Sequence, residues 1–349
     1  MTNLNEELML VTLLHDVGKI MQRAGIKSPI CDDLSGKFYA HDKLSCGFIT
    51  EYLGDEYAEL FKEGKWEIAD YASASERIEA KTIGSPETVP LLDPTYDASP
   101  NDLPKDKELW YNGTYIDFNA TTNTYTTRKM NDALINYKGI YETLIKLAKK
   151  AKSIKDPSSL LETYDYIYRT VALLVPAAVY NAVPNTSLYG HSRLAAPLSV
   201  CEKVRFLVID IKGIQRFITN VRGEKESSKR LRGRSFFLQL LQRALVDKIA
   251  DVLGLSPLNN ISFEPGKIIF VVCCEGSLDK VNELLINLED WSSYELQFAS
   301  SISDEIDVRR MKIFGEDRDF QRALNDAFES LKIVGKPKAV SYTHLRAHE

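Results

Sequence analysis

Histidine is scarce in this chain of 349 residues: five occur, and two of them, His344 and His348, fall in the terminal string SYTHLRAHE. Cysteine is equally rare. Five Cys with no CxxC, and only Cys273 and Cys274 adjacent, describe neither a disulfide framework nor a zinc site, so a reducing cytoplasm is the expected compartment. No apolar run approaches the ~20 residues that cross a bilayer, and the chain starts with the polar, acidic TNLNEE, which points away from secretion or membrane insertion. A basic excess is also missing. With 44 Lys and Arg against 49 Asp and Glu, the net charge of −5 provides no global field for nucleic acid, so any phosphate-handling surface must be local. What is present is apolar content, 44% of the chain, enough for two ordinary domains with cores of their own.

Apolar spacing divides the chain near Cys201. The first 75 or so residues read as helices. In ELMLVTLLHDVGKIMQRAG, Leu10, Leu13, Leu14, Val17 and Met21 fall at helical intervals, with Gly25 as the stop. A second helix follows His41 and a third carries KWEIADYASASERIEA. The pattern fails over 82–127, an irregular insertion with a short hairpin expected at Asn112-Gly113, and helical periodicity returns from about Asp132 to Ala182. Beyond Cys201, VRFLVIDI, NNISF, KIIFVVCC and YELQFASSI read as strands. They are interleaved with the helices GRSFFLQLLQRALVDKIADVLGL and SLDKVNELLINLEDW, and Glu264-Pro265-Gly266 forms a turn. The expected order is βαββαβ, a ferredoxin-like unit over 201–303, which many functions share. Residues 304–340 are charged and expected to be helical. The string 341–349 resembles translated sequencing adapter and is expected to be an artefact.

Three histidines then carry the chemistry. His15 and Asp16 are adjacent in HDVGK; on one continuous helix they would lie about 100° apart and grip an ion only from the helix edge. A carboxylate has two oxygens and can bridge two ions. Gly18 costs roughly 1 kcal/mol in a helix relative to Ala, which suggests close approach of another segment or a substrate. Lys19, one turn after His15, could neutralise a phosphate oxygen. His41 opens the second helix, Asp70 lies on the third, and His191 stands in SLYGHSR. Imidazole plus carboxylate suits a borderline transition ion, and a water on such an ion, its pKa lowered toward about 7, can attack a phosphodiester. His41-Asp42 is a second His-Asp dipeptide, a pairing common enough by chance to carry little alone.

The segments LLHDVGKIMQRAG, ADYASASERIE, SLYGHSRLAA, IDIKGIQRFI and LRGRSFFLQLL, in that order, resemble the large subunit of type III-A CRISPR (Csm) interference complexes. The resemblance implies an α+β fold: an all-helical HD-type nuclease domain over 1–200, then the first of two palm domains over 201–303. It implies single-stranded DNA hydrolysis with a divalent metal and matches His15, Asp16, Asp70 and His191 to the family's site; with His41 added from its place at a helix start, and Lys19 beside His15 and Asp16 in the chemistry, the expected metal is Mn, Ni or Co. It further implies ATP bound by the palm for cyclic oligoadenylate synthesis, and guide RNA, target RNA and other Csm subunits as partners. Gly190 replaces the family's aspartate before His191, Lys212 replaces a small residue, and neither a GGDD sequence nor paired CxxC motifs occur in the chain.

One dense cationic stretch stands in the palm region: Arg216, Arg222, Lys225, Lys229, Arg230, Arg232 and Arg234. It precedes a helix whose first amides favour an anion, so Arg230, Arg232 and Arg234 are candidates for triphosphate or an RNA backbone, against the alternative of a solvated loop; the resemblance, which implies nucleotide contacts in IDIKGIQRFI, adds Lys212 and Gly213. Two other readings of the chain stand beside the nuclease. One is an HD-type phosphohydrolase of small nucleotides; the other is a non-catalytic scaffold subunit.

Overall fold

The structure is a computed structural model that describes residues 3–32, 34, 39–73, 114–119, 124–129, 137–177, 186–220, 227–262, 265–273, 278–293, 295–311 and 319–334, the segments within 114–129 by backbone alone. It divides into two compact units. One takes Met1–Val204 with Ile306–Gln321, the other Arg205–Glu305 with Arg322–Glu349. The string 341–349, Arg222 and Lys225 lie outside the described residues, as do 82–113 of the expected insertion and 263–264 of the expected turn.

The first unit is helical. Its helices are α1 (Asn3–Leu13), α2 (Gly18–Arg23), α3 (Ala40–Tyr52), α4 (Asp55–Lys62), α5 (Glu67–Ser73), α6 (Tyr137–Ala151), α7 (Pro157–Ala172) and α8 (Leu188–Leu198). Met9, Leu10, Val11 and Leu13 are fully buried. An apolar helix buried on every side is a central helix rather than a surface one, and α1 packs against α4, α7 and α8. A hairpin is present: β1 (Thr114–Asn119) and β2 (Thr124–Lys129) pair antiparallel with Asn119 opposite Thr124. Asn112-Gly113, where the turn was expected, lies outside the described residues.

The cysteine expectation is corrected. Cys31 and Cys46 form a disulfide with their Cα atoms 5.8 Å apart. Fifteen residues separate them and no motif announces the pair; packing creates it. The chain before α3 folds back on that helix, with Cys31 N donating to Lys43 O at 3.1 Å. Gly47 permits the approach, since a Cβ there would meet Pro29 O at 2.3 Å.

The second unit is built on an antiparallel sheet in the order β4-β3-β5-β7. Its strands are β3 (Lys203–Lys212), β4 (Lys267–Val272), β5 (Gln297–Ile302) and β7 (Lys332–Ile333); β6 (Ile306–Asp307) pairs with the start of β3. The helices are α9 (Ile214–Thr219), α10 (Ser227–Leu253), α11 (Leu278–Trp291) and α12 (Asp319–Glu329). Leu207, Ile209 and Ile211 of β3, Ile268, Phe270 and Val272 of β4, and Phe298 of β5 share one core with Leu238, Leu245 and Ile249 of α10 and Val281 and Leu285 of α11. The alternation of period two along the strands and the helical spacing of α10 place both apolar faces against each other.

NNISF does not form the expected strand. It makes a single bridge, Asn260 to Phe270, because the asparagine side chains take over ladder positions: Asn259 Nδ2 donates to Val271 O at 2.9 Å and Asn260 Oδ1 accepts from Ile269 N at 3.3 Å. The tail expected to be helical is mixed, with β6, a 3-10 turn over Val308–Arg310, α12 and β7. Among the described residues no helix is long and apolar enough to cross a membrane.

Candidate metal centre

His15 and Asp16 do not lie on a helix. Apolar periodicity runs unbroken through this stretch, yet α1 ends at Leu13 and α2 starts at Gly18, and residues 14–17 form a turn. The break has a local cause. Thr12 O, which a continuous helix would offer to the amide of Asp16, accepts instead from His15 N at 3.3 Å and pairs with His15 Nδ1 at 2.6 Å. The chain then tightens, with Val17 N bonded to Leu14 O and Lys19 N to Asp16 O, both at 3.0 Å. The 100° separation of a helix is removed, and His15 Nε2 comes within 3.5 Å of Asp16 Oδ2. Both side chains are buried, His15 to 1% exposure, and neither sits on the expected helix edge.

Asp70 on α5 and His191 on α8 close the same space. His191 Nε2 is 2.9 Å and His15 Nε2 3.3 Å from Asp70 Oδ1, and His191 Nε2 is 3.6 Å from Asp16 Oδ2. His15, Asp16, Asp70 and His191 thus present one ligand atom each within 4.8 Å of one another. On the other oxygen of Asp16 stands a second group. His41 Nε2 lies 3.5 Å from Asp16 Oδ1 and 3.3 Å from Asp42 Oδ1.

Asp42 is absent from the residues expected from sequence. Its signal was the dipeptide His41-Asp42, which by itself is indistinguishable from coincidence. Gly18 explains how the two groups meet. A Cβ on Gly18 would lie 1.9 Å from His41 O, and Gly18 N donates to Ser45 Oγ at 2.8 Å. Close approach belongs to α3 and not to a substrate, and it sets His41 and Asp42 against Asp16.

The hydrogen bonds select the ring tautomers. Thr12 O can only accept, so Nδ1 of His15 carries the proton. Ser73 Oγ donates to Asp70 O at 3.0 Å and so accepts from His191 Nδ1 at 3.2 Å. Each Nε2 then faces carboxylate oxygen, an arrangement that needs a proton on Nε2 or a cation between the two. Lys19 supplies a positive group at one edge, its Nζ 2.5 Å from Asp16 Oδ2. The ammonium is thus a stand-in for a cation, and the donor set of imidazole nitrogen and carboxylate oxygen fits a divalent transition ion.

Charge in the cluster follows. Burial pushes the Asp16 carboxyl up, but Lys19, then His15 and His41, outweigh it and hold it below the usual carboxylate range. Asp70 is also held well below that range: burial opposes, and hydrogen bonds from His15 and His191 prevail. His15 is raised, since Asp16 and Asp70 outweigh its burial. Burial lowers His41 to about 4, leaving it neutral and ligand-ready at neutral pH, and burial raises Asp42 to about 6. A cation at the His41–Asp42 side therefore competes with a proton on Asp42 below pH about 6. Mn affinity, measured by calorimetry, is expected to fall as pH drops through that value, with proton release on binding, and Asp42→Asn is expected to flatten the profile. An affinity independent of pH there would contradict the assignment of Asp42.

The phosphate candidates of the second unit are dispersed in role. Lys212 ends β3 and pairs with Asp210. Gly213 has φ +81°, and a Cβ there would meet Glu295 O at 2.6 Å, so its glycine is a packing requirement. Arg234 donates to Phe217 O, covers the Phe217 ring and lies 3.7 Å from Glu295. It is thereby engaged in holding α9. Arg232 Nε donates to Ser228 O at 3.3 Å, and Arg230 is exposed on the first turn of α10.

Residues 203–333 match the family model "Csm1 subunit domain B". A protein of Methanocaldococcus jannaschii named CRISPR system single-strand-specific deoxyribonuclease Cas10/Csm1 (subtype III-A) is 26% identical over 82% of this chain and 43% of its own length. One of the same name from Enterococcus italicus is 28% identical over 72% of this chain and 40% of its own. The crystal structure of Csm1 in T. onnurineus superposes with a TM-score of 0.65 at 18% identity, covering 95% of this chain and 49% of that one. The chain is thus similar to Cas10/Csm1 proteins of subtype III-A, over its second unit by family model and over most of its length by sequence and fold. The chain spans less than half the length of the curated relatives it matches. A Csm1-Csm4 cassette in complex with cA3 shares the fold at a TM-score of 0.60 and 17% identity, over 94% of this chain and 48% of that one. The mixture of helices and antiparallel sheet is common to this chain and its Csm1 relatives.

Proposed function

We propose that the helical unit is an HD-type nuclease that hydrolyses single-stranded DNA with a divalent cation, within the large subunit of a type III-A CRISPR effector complex. The observation that carries this reading is Asp16: each of its oxygens faces a separate group of ligand atoms, His15, His191 and Asp70 on one side and His41 with Asp42 on the other. A divalent cation (Mn, Ni or Co) supplies Lewis-acid chemistry there, polarising a phosphodiester and lowering the pKa of water. His15 and His191 would turn Nε2 to the cation, because Nδ1 of each is already bonded to Thr12 O or Ser73 Oγ. Lys19, bonded to Asp16, is the group that moves aside and meets a phosphate oxygen. Trp66, its ring 5.1 Å from that of His15, walls the imidazole from water.

The sheet unit is read as the first palm, binding ATP through Lys212, Gly213, Arg230, Arg232 and Arg234 as one half of a cyclic oligoadenylate synthetase. Solved Csm1-Csm4 cassettes in complex with cA3 and with one ATP support that reading. A Csm4-type subunit, guide RNA and target RNA are the proposed partners, in the cytoplasm.

Incubation of the chain with Mn and labelled oligonucleotides tests the nuclease. Single strands are expected to be cut, duplex spared and EDTA to stop the reaction; hydrolysis of nucleoside triphosphates without cleavage of DNA would favour the phosphohydrolase instead.

A further inference from the structure

We propose that Tyr39 is a base-stacking residue that seats an unpaired base of the substrate strand beside the His41 side of the cluster. This rests on the nuclease reading and adds the group that positions the strand. Tyr39 is 72% exposed, yet its ring lies parallel to that of His41, centroids 5.7 Å apart and planes 2° apart. One face is therefore committed to an imidazole of the ligand set while the rest of the ring is open to solvent. Its backbone is clamped at the start of α3. Tyr39 N donates to Asp42 Oδ2 at 2.7 Å and Asp42 N donates to Tyr39 O at 3.1 Å. Asp42 thus serves both the cluster and the tyrosine, and the ring is held in place before any strand arrives.

The chemistry of the ligand follows from that geometry. An aromatic face accepts the face of any base, so it tolerates all sequences, but only where that face is not already stacked within a duplex. A base on Tyr39 lies one imidazole away from Asp16, because His41 Nε2 is 3.5 Å from Asp16 Oδ1. The phosphate beside that base is then delivered to the cluster, and preference for single strands arises from the tyrosine.

The test uses the whole chain in EDTA, so that binding is read without cleavage, with a fluorescein-labelled oligothymidylate for anisotropy and an oligonucleotide carrying 2-aminopurine to report stacking. Tyr39→Leu keeps the bulk and loses the aromatic face; it is expected to weaken binding about tenfold and to abolish the quenching of 2-aminopurine. Tyr39→Phe is expected to behave as the parent in both, and Tyr166→Ala, at an exposed tyrosine of α7, to leave both unchanged. Parental affinity in Tyr39→Leu, or equal losses in Tyr39→Phe and Tyr39→Leu, would overturn the stacking role while leaving the nuclease reading intact. Failure of the parent to bind single strands at all would overturn both.

Discussion

Replacing Asp16 by asparagine is expected to lower single-turnover cleavage of single-stranded DNA by about 10²- to 10³-fold. The substitution keeps the shape of the side chain and removes its charge. Asp16 is the one residue shared by the two groups of ligand atoms, so its loss strikes both, whereas Asp42→Asn strikes only the group with His41 and is expected to cost less. The ordering of the two variants separates a bridged pair of sites from a single site. Lys19 loses its anionic partner in Asp16→Asn, but at 14% side-chain exposure its ammonium reaches water, so the melting temperature is expected to change little. Equal cleavage by Asp16→Asn and the parent would contradict the assignment, and a collapse of the fold would show up first in the melting curve.

Gly18→Ala has the second large effect, and its sign is the informative part. Helix propensity favours Ala over Gly by about 1 kcal/mol, so on α2 alone the change would stabilise. The added Cβ instead meets backbone, 1.9 Å from His41 O and 2.8 Å from Ser45 N. Backbone atoms cannot rotate away as a flexible side chain can, so α2 and α3 must separate, at a cost of about 1–3 kcal/mol for overpacking. The expected outcome is a lower melting temperature together with impaired cleavage, since His41 and Asp42 move with α3 while Asp16 stays with α2. A raised melting temperature would mean that the α2–α3 contact is not the one that sets the second group of ligands.

These two residues also show how far the sequence could be read. Scarcity made His15, His41 and His191 conspicuous, and LLHDVGK, ADYAS and SLYGHS marked segments whose side chains meet in one cluster; a rare residue type in a spaced set is a strong signal. Gly18 announced a close approach but not its partner, because packing across 27 residues leaves no periodic trace. The turn at His15 and Asp16 was hidden for the opposite reason. Leu13, Leu14, Val17 and Met21 continue a helical pattern, since the helices on both sides of the turn are buried in the same core; the competing bonds to Thr12 O have no signature in hydropathy. Asp42 was overlooked because adjacency to a histidine carries little information until α3 is docked. The Cys31–Cys46 pair depends on the fold-back before α3 and has no motif. In the sheet unit, alternation marked β3, β4 and β5 correctly, and it failed at NNISF, where asparagine amides replace ladder partners and apolar content alone reads as strand.

The most direct measurement is the anomalous diffraction of crystals of this chain soaked in Mn. The account predicts a peak about 2.0–2.2 Å from Nε2 of His15 and His191 and from carboxylate oxygens of Asp16 and Asp70, with Lys19 displaced from Asp16 and a second peak between Asp16 and the His41–Asp42 pair. Crystals whose Mn peaks lie elsewhere, with Lys19 still bonded to Asp16 at saturating metal, would contradict it.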